Sequence, residues 1–205
     1  MMSKYHKIQT VFKRDPATNF KTLMEGEYSL PEFNYLADNE WIWTEKVDGM
    51  NIRVYFTDDN MIFKGRTDNA QIPATLFQKF TDLFLPVVGQ MPAGTCLYGE
   101  GYGPKIQKGG GNYRKDQDFV LFDVRVGDIW LQRDDVEDVA NNLGLDVVPI
   151  IGGGTLSRMV DTARRGFTSN WGNFLAEGIV ARPLVELNAR NGGRIITKIK
   201  TKDFV

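Results

Sequence analysis

The stretch WTEKVDGMNIRVYF, Trp43 to Phe56, decides how the rest of the chain is read. Trp43 to Val47 has the pattern of an extended strand, Asp48-Gly49 is a tight-turn signal, and Met50 to Phe56 reads as a returning strand. Asp-Gly between two such runs predicts a β-hairpin, because glycine accepts the positive φ that a two-residue turn needs. On local pattern alone Lys46 is then a solvated lysine beside a surface turn. A lysine and an aspartate two apart at a strand end acquire chemistry only if the rest of the chain supplies partners.

Outward from this stretch, NMIFKGRT (60–67) reads as a third strand. Leu76, Phe77, Phe80, Leu83 and Phe84 recur at helical spacing after Pro73. GTCLYGEGYG (94–103) is a strand, 104–116 a glycine- and lysine-rich loop, and QDFVLFDVRVGDIWL (117–131) a strand pair around Gly127-Asp128. Val136, Val139, Ala140 and Leu143 mark one amphipathic helix, and Leu156, Met159, Val160 and Ala163 another. Strands AEGIVARP (176–183) and GRIITKIK (193–200) close the pattern. Largely antiparallel strands with flanking helices make an α+β fold.

Composition excludes several function classes. The 205 residues, 42% of them hydrophobic, suit one compact domain or one with a small appendage. A single cysteine, Cys96, rules out an internal disulfide framework and fits a reducing compartment, so the expected location is cytoplasmic. No apolar run approaches the ~20 residues of a membrane span. The net charge is −1, so nucleic-acid contact must come from local clusters. Lys105, Lys108, Arg114 and Lys115 form one such cluster, and Lys198, Lys200 and Lys202 another.

His6 is the only histidine and stands near a terminus expected to be mobile, which leaves little basis for a histidine triad or a multi-histidine metal site. Cys96 lies between apolar residues and reads as packing. The glycine clusters at 109–111 and 152–154 match neither phosphate-loop pattern and read as flexible loops. What remains is polar residues on strands. Alternation puts Tyr98 and Glu100 on one face, and Lys198 with Lys200 on one face opposite Thr197 and Ile199. Two lysines sharing a face repel unless an anion neutralises them, and phosphate is the natural anion in a cleft. Glu177 precedes an apolar strand, a position suited to a metal ligand or a paired carboxylate.

Five of these segments occur in a telling order: EKVDG (45–49), YGEGYG (98–103), VLFDV (120–124), EGIVARP (177–183) and TKIK (197–200). In sequence and order they resemble the nucleotidyltransferase motifs of covalent ligases, and most of all the ATP-dependent RNA ligase family in its RNA ligase 2 branch. WIWTEKVDGMN, GRT and GEGYGPKIQK carry that closer likeness, which spans roughly Trp41 to Phe204. Met50 departs from it, standing where the branch often has threonine.

The resemblance implies a nucleotidyltransferase (ATP-grasp-like ligase) domain over 1–205, without a C-terminal OB-fold or helical domain. Lys46 is expected to attack the α-phosphorus of ATP, expel pyrophosphate and carry AMP as a phosphoramidate. The AMP then passes to an RNA 5′-phosphate, and a 3′-hydroxyl displaces it. Lysine suits such a relay, because nitrogen bonded to phosphorus leaves readily once reprotonated. Only the neutral amine attacks, so Lys46 is expected in a cationic cleft with Lys198 and Lys200, which also hold the α-phosphate. Glu45, Val47, Asn51, Arg66, Glu100 and Phe122 are implied nucleotide contacts, Glu100 toward ribose and Phe122 stacked on adenine. For Phe122 core packing is the competing reading. Glu177 and Asp48 are the implied holders of Mg2+, or Mn2+, since a hard cation suits triphosphate oxygens. Asp48 could equally orient Lys46. The implied partners are RNA ends, nicked or bridged, with a separate strand-binding protein or domain possible, and no membrane. A DNA ligase, a capping guanylyltransferase and a non-catalytic nucleic-acid-end binder are the alternatives. The GPKIQK segment and the missing OB-fold tail weigh against the first two. The joint presence of Lys46, Glu100, Glu177, Lys198 and Lys200 weighs against the third, because a binder needs no nucleophile.

Overall fold

The computed structural model describes residues 4–67 and 69–204, which form two compact bodies. One comprises 4–6 and 48–148, the other 7–47 and 149–204. Strands are numbered β1–β13 and helices α1–α4 along the chain.

The first body is built on a six-stranded sheet. Its order is β10 (Asp146–Val147), β8 (Asp118–Val126), β7 (Thr95–Tyr102), β5 (Met50–Phe56) and β6 (Met61–Gly65), with β9 (Ile129–Trp130) also on β8. Only the β10–β8 pair is parallel. Ile52, Val54 and Phe56 pack with Leu97, Leu121 and Val124 in a core shared with α2 (Ala74–Phe84) and α3 (Arg133–Leu143). The helical spacing in the sequence is realised: α2 buries Leu76, Phe80 and Phe84, and α3 buries Val136, Ala140 and Leu143. Each set lies along one stripe, as a 3.6-residue period requires.

The second body holds a five-stranded sheet in the order β1 (Gln9–Thr10), β13 (Thr197–Lys200), β12 (Gly178–Pro183), β4 (Trp41–Glu45) and β11 (Ile150–Gly154). The β1–β13 pair is parallel and the others antiparallel. A hairpin of β2 (Phe12–Arg14) and β3 (Leu23–Tyr28) and the short α1 (Pro31–Tyr35) complete it, with α4 (Leu156–Arg165). Trp41, Trp43, Ile179, Ala181 and Ile199 form its core with Leu156, Met159, Val160 and Ala163 of α4. Thr155 caps α4, its hydroxyl accepting from the Arg158 amide.

The hairpin expected at Asp48-Gly49 does not form. β4 pairs with β11 and β12, whereas β5 pairs with β6 and β7, so the two halves of WTEKVDGMNIRVYF belong to different sheets. Gly49 is not in the left-handed region either. It is glycine because a Cβ there would strike the Gly101 carbonyl oxygen and the Glu100 side chain. Distant partners won over the local turn signal because each strand buries its apolar residues more completely in its own sheet. Near the terminus, Tyr5 packs on the first body: its hydroxyl donates to Asp123 at 2.5 Å and its ring meets Phe122 edge-on at 5.0 Å. Strands β1–β3 and β10 and helix α1 carry no clear sequence signal, being short or lacking a clean period, and the glycines at 152–154, expected to form a flexible loop, lie in β11.

Candidate active site

In β4 the alternation buries Trp41, Trp43 and Glu45 and leaves Ile42 and Thr44 half-buried. Lys46 follows directly, its amide donating to the Gly178 carbonyl at 2.9 Å. That bond extends the β4–β12 pairing by one step and sets Lys46 beside Glu177, the residue before β12. Lys200, at the end of β13, pairs with Gly178 from the other side. Three neighbouring strands thus bring one charged residue each to a common end. The Lys46 Nζ lies 2.5 Å from Glu177 Oε2, and the Lys200 Nζ lies 2.6 Å from Glu177 Oε1. Their side chains are 20%, 10% and 25% exposed for Lys46, Glu177 and Lys200, so solvent still reaches the cluster.

Of the expected cleft partners of Lys46, Lys200 shares the Glu177 carboxylate with it. The nearest charge to Lys46 is that carboxylate, with each oxygen of Glu177 taken by one ammonium. Alternation in β13 holds as expected: Lys198 and Lys200 are half-buried on one face, Thr197 and Ile199 buried on the other. Lys202 has left the strand and is exposed on a 3₁₀ turn over Thr201–Phe204. Asp203 in that turn accepts from the Lys200 amide at 3.0 Å and pairs with Arg14 at 2.6 Å, fixing where β13 ends.

Glu45 and Val47 flank the lysine but are both buried, at 1% and 4% exposure. The Glu45 carboxylate accepts from the Asn170 amide at 2.9 Å. Burial raises its pKa above the ordinary glutamate value, against the lowering effect of the Asn170 amide and the Ser169 hydroxyl. Val47 has only its backbone to offer a ligand.

In the first body Asn51 of β5 lies opposite Glu100 of β7. Asn51 Oδ1 is buried without a hydrogen-bond partner, an acceptor awaiting a donor. Phe122 sits where the β7–β8 register shifts, so it escapes the alternation and stays half-buried while Val120, Leu121 and Val124 are fully covered. Arg66 is exposed just beyond β6. The Asp48 amide donates to the Tyr113 hydroxyl at 3.0 Å, and Gln107 Nε2 donates to the Gly49 carbonyl at 3.0 Å. Tyr113 and Gln107 were not singled out as site residues by sequence reasoning. Gln107 does lie inside the GPKIQK likeness, but Tyr113 stands in a glycine-rich loop whose pattern carries no such signal.

The four basic residues of that loop divide. Lys105, Lys108 and Lys115 are exposed. Arg114 is bound to Asp116 at 2.7 Å and to Asp118, and Asp118 also takes Lys79 at 2.7 Å. Burial works against the charge of Arg114, but its hydrogen bonds to Asp116 and Tyr102 and the Asp118 charge outweigh it and raise the pKa. Arg114 is a staple of the loop. Arg164 is similarly engaged, paired with Glu25 and lying over the Phe204 ring at 4.7 Å.

Among the described residues no three His, Cys, Asp or Glu side chains cluster as a ready-made metal site. A single carboxylate such as Glu177 still suits Mg2+ or Mn2+ chemistry, because such ions are commonly held by one or two carboxylates with phosphate oxygens and water. No helix among the described residues is long and apolar enough to cross a membrane.

Comparison with known proteins places this geometry. No curated protein matches the chain. A Naegleria gruberi RNA ligase with PPi superposes with a TM-score of 0.71 at 21% identity, covering 99% of this chain and 57% of that one. A mutant of the same ligase with ATP and Mn gives 0.70 at 19% identity, covering 97% and 56%, and another with AMP and Mn gives 0.70 at 20% identity, covering 99% and 57%. The chain spans less than two thirds of these ligases' length, and at such identities the likeness establishes a shared fold. The RNA ligase family profile matches residues 39–200, which takes in the Lys46, Glu177 and Lys200 cluster together with Glu100 and the lysine loop. By that match the chain belongs to the RNA ligase family.

Proposed function

We propose that this chain performs the nucleotidyltransferase chemistry of an ATP-dependent RNA ligase, joining RNA 5′-phosphate and 3′-hydroxyl ends. The observation that carries the reading is the Lys46–Glu177–Lys200 cluster, a nucleophile held beside a carboxylate and a second cation at one end of three strands. Lys46 leaves its ion pair with Glu177, gives up a proton to solvent and, as the neutral amine, attacks the α-phosphorus of ATP. The new N–P bond forms as the bond to pyrophosphate breaks, leaving AMP on Lys46 as a phosphoramidate. Lys200 and Lys198 balance the negative charge that gathers on the α-phosphate. An oxygen of the RNA 5′-phosphate then displaces Lys46 from the adenylate phosphorus. The 3′-hydroxyl finally attacks the activated 5′ phosphorus and releases AMP.

Glu177 would hold Mg2+ or Mn2+, which would supply charge neutralisation for the triphosphate. Asn51 and Glu100 offer acceptors for ribose or base, and the exposed part of Phe122 a stacking face. Arg66 is an exposed cation for phosphate. For Glu45 the buried carboxylate supports a role in holding the Ser169–Asn170 turn. Lys105, Lys108 and Lys115 are the strand contacts, acting on nicked or bridged ends and with a separate strand-binding protein where one is needed. The buried Cys96 thiol suits work in the reducing cytoplasm.

The test is covalent labelling. Protein freed of nucleotide with pyrophosphate is incubated with α-labelled ATP or GTP and Mg2+, then run on a denaturing gel. Label from ATP is expected, much less from GTP, and none on Lys46→Ala. An unlabelled wild-type chain would overturn the reading.

A further inference from the structure

Two side chains of the lysine loop hold the backbone that follows the nucleophile. Tyr113 accepts from the Asp48 amide and Gln107 donates to the Gly49 carbonyl, both at 3.0 Å, across 65 and 58 residues of sequence. Gly49 is also pressed against β7 so closely that no side chain would fit. Asp48-Gly49 therefore has its amide, its carbonyl and its Cα fixed by named partners. Two peptide units separate this clamped point from Lys46.

The same loop carries Lys105, Lys108 and Lys115 outward. Its own shape is set by Arg114 on Asp116 and Asp118, by Gln117 Nε2 donating to the Pro104 carbonyl at 2.8 Å, and by the Tyr113 ring against Tyr102. Tyr113 is 7% exposed, so its hydroxyl serves the Asp48 amide from within the body. A strand bound to the lysines would load a stapled loop whose Tyr113 and Gln107 side chains end on Asp48 and Gly49.

We propose that Tyr113 and Gln107 are positioning residues for Lys46, and that RNA on the lysine loop speeds Lys46 adenylation through them. This rests on the ligase reading above. Ordering the loop lowers the cost of holding Asp48-Gly49 in its reactive place, and coupling of this kind needs no displacement.

The measurement is the single-turnover rate of Lys46 adenylation by ATP and Mg2+, with and without a saturating 5′-phosphorylated single-stranded RNA whose affinity is measured in parallel. RNA is expected to raise the wild-type rate at least ~3-fold. Tyr113→Phe keeps the ring and loses the acceptor, and Gln107→Ala loses an exposed donor with little risk to folding. Both variants are expected to bind RNA within about two-fold of wild type and to lose the stimulation. An unstimulated wild type would overturn the proposal, as would stimulated variants or RNA affinity lost together with the response. A wild type that takes no AMP at all counts against the ligase reading, so the two failures are told apart.

Discussion

Glu177 is the residue on which the charged cluster depends, because it alone separates two ammonium groups. Glu177→Ala leaves Lys46 and Lys200 facing each other without a counter-charge and removes the carboxylate proposed for the metal. Lys200→Ala takes away the cation proposed to balance the charge on the α-phosphate. Each is expected to slow Lys46 adenylation by at least ~10²-fold, the scale of losing one transition-state charge partner. Lys202→Ala is the control, since its side chain is exposed on the turn beyond β13. Single-turnover labelling of the three variants decides the matter, and equally small effects would mean that the cluster is only a surface ion pair.

At the scale of the element, β4 carries two opposite demands. Its buried side holds Trp41, Trp43 and Glu45, and a carboxylate among two indoles is costly to ionise. Burial raises the Glu45 pKa, with the Asn170 and Ser169 hydrogen bonds opposing it. The sign follows directly. A raised folded-state value means that the native chain binds this proton more tightly than the unfolded chain does. Its stabilising contribution is then full below the unfolded value, about 4.3, and is lost as pH rises through the higher folded value. Glu45→Gln cannot titrate, so wild-type stability relative to Glu45→Gln is expected to fall as pH is raised from about 4 into the neutral range. Denaturant midpoints of both proteins across that range provide the check. A constant difference would show that Glu45 has the same pKa in the folded and unfolded states.

For the molecule as a whole, the net charge of −1 leaves the proposed strand binding to a few local cations. The structure reduces their number, since Arg114 and Arg164 are already paired with carboxylates. Three loop lysines meeting phosphates give a slope of roughly −2 to −3 in log affinity against log salt, whereas adding the two paired arginines would steepen it to roughly −4. RNA binding and sealing are therefore expected to weaken about 20- to 60-fold between roughly 50 and 200 mM salt, while Lys46 adenylation in the absence of RNA changes little. Filter binding and labelling across one salt series measure both. A slope near −4 would mean that Arg114 and Arg164 also meet phosphates, and parallel loss of adenylation would place the lysines in the nucleotide pocket.

The sequence by itself determined what is periodic or contiguous. The stripes of α2, α3 and α4, the parity of Lys198 and Lys200 and the packing role of Cys96 depend on residues a few positions apart, and the family likeness on short motifs in a fixed order. Short-range order is readable because local geometry fixes which neighbours share a face. The tertiary structure decided the rest. It sent β4 and β5 to different sheets, set Glu177 between two lysines, engaged Arg114 within its own loop and brought Tyr113 to the Asp48 amide. Apart from the Arg114 staple, whose partners lie within four positions, each of these joins residues tens of positions apart. Such partners are chosen by which pairing buries more apolar surface and satisfies more charge, a competition that exists only once the chain has folded back on itself.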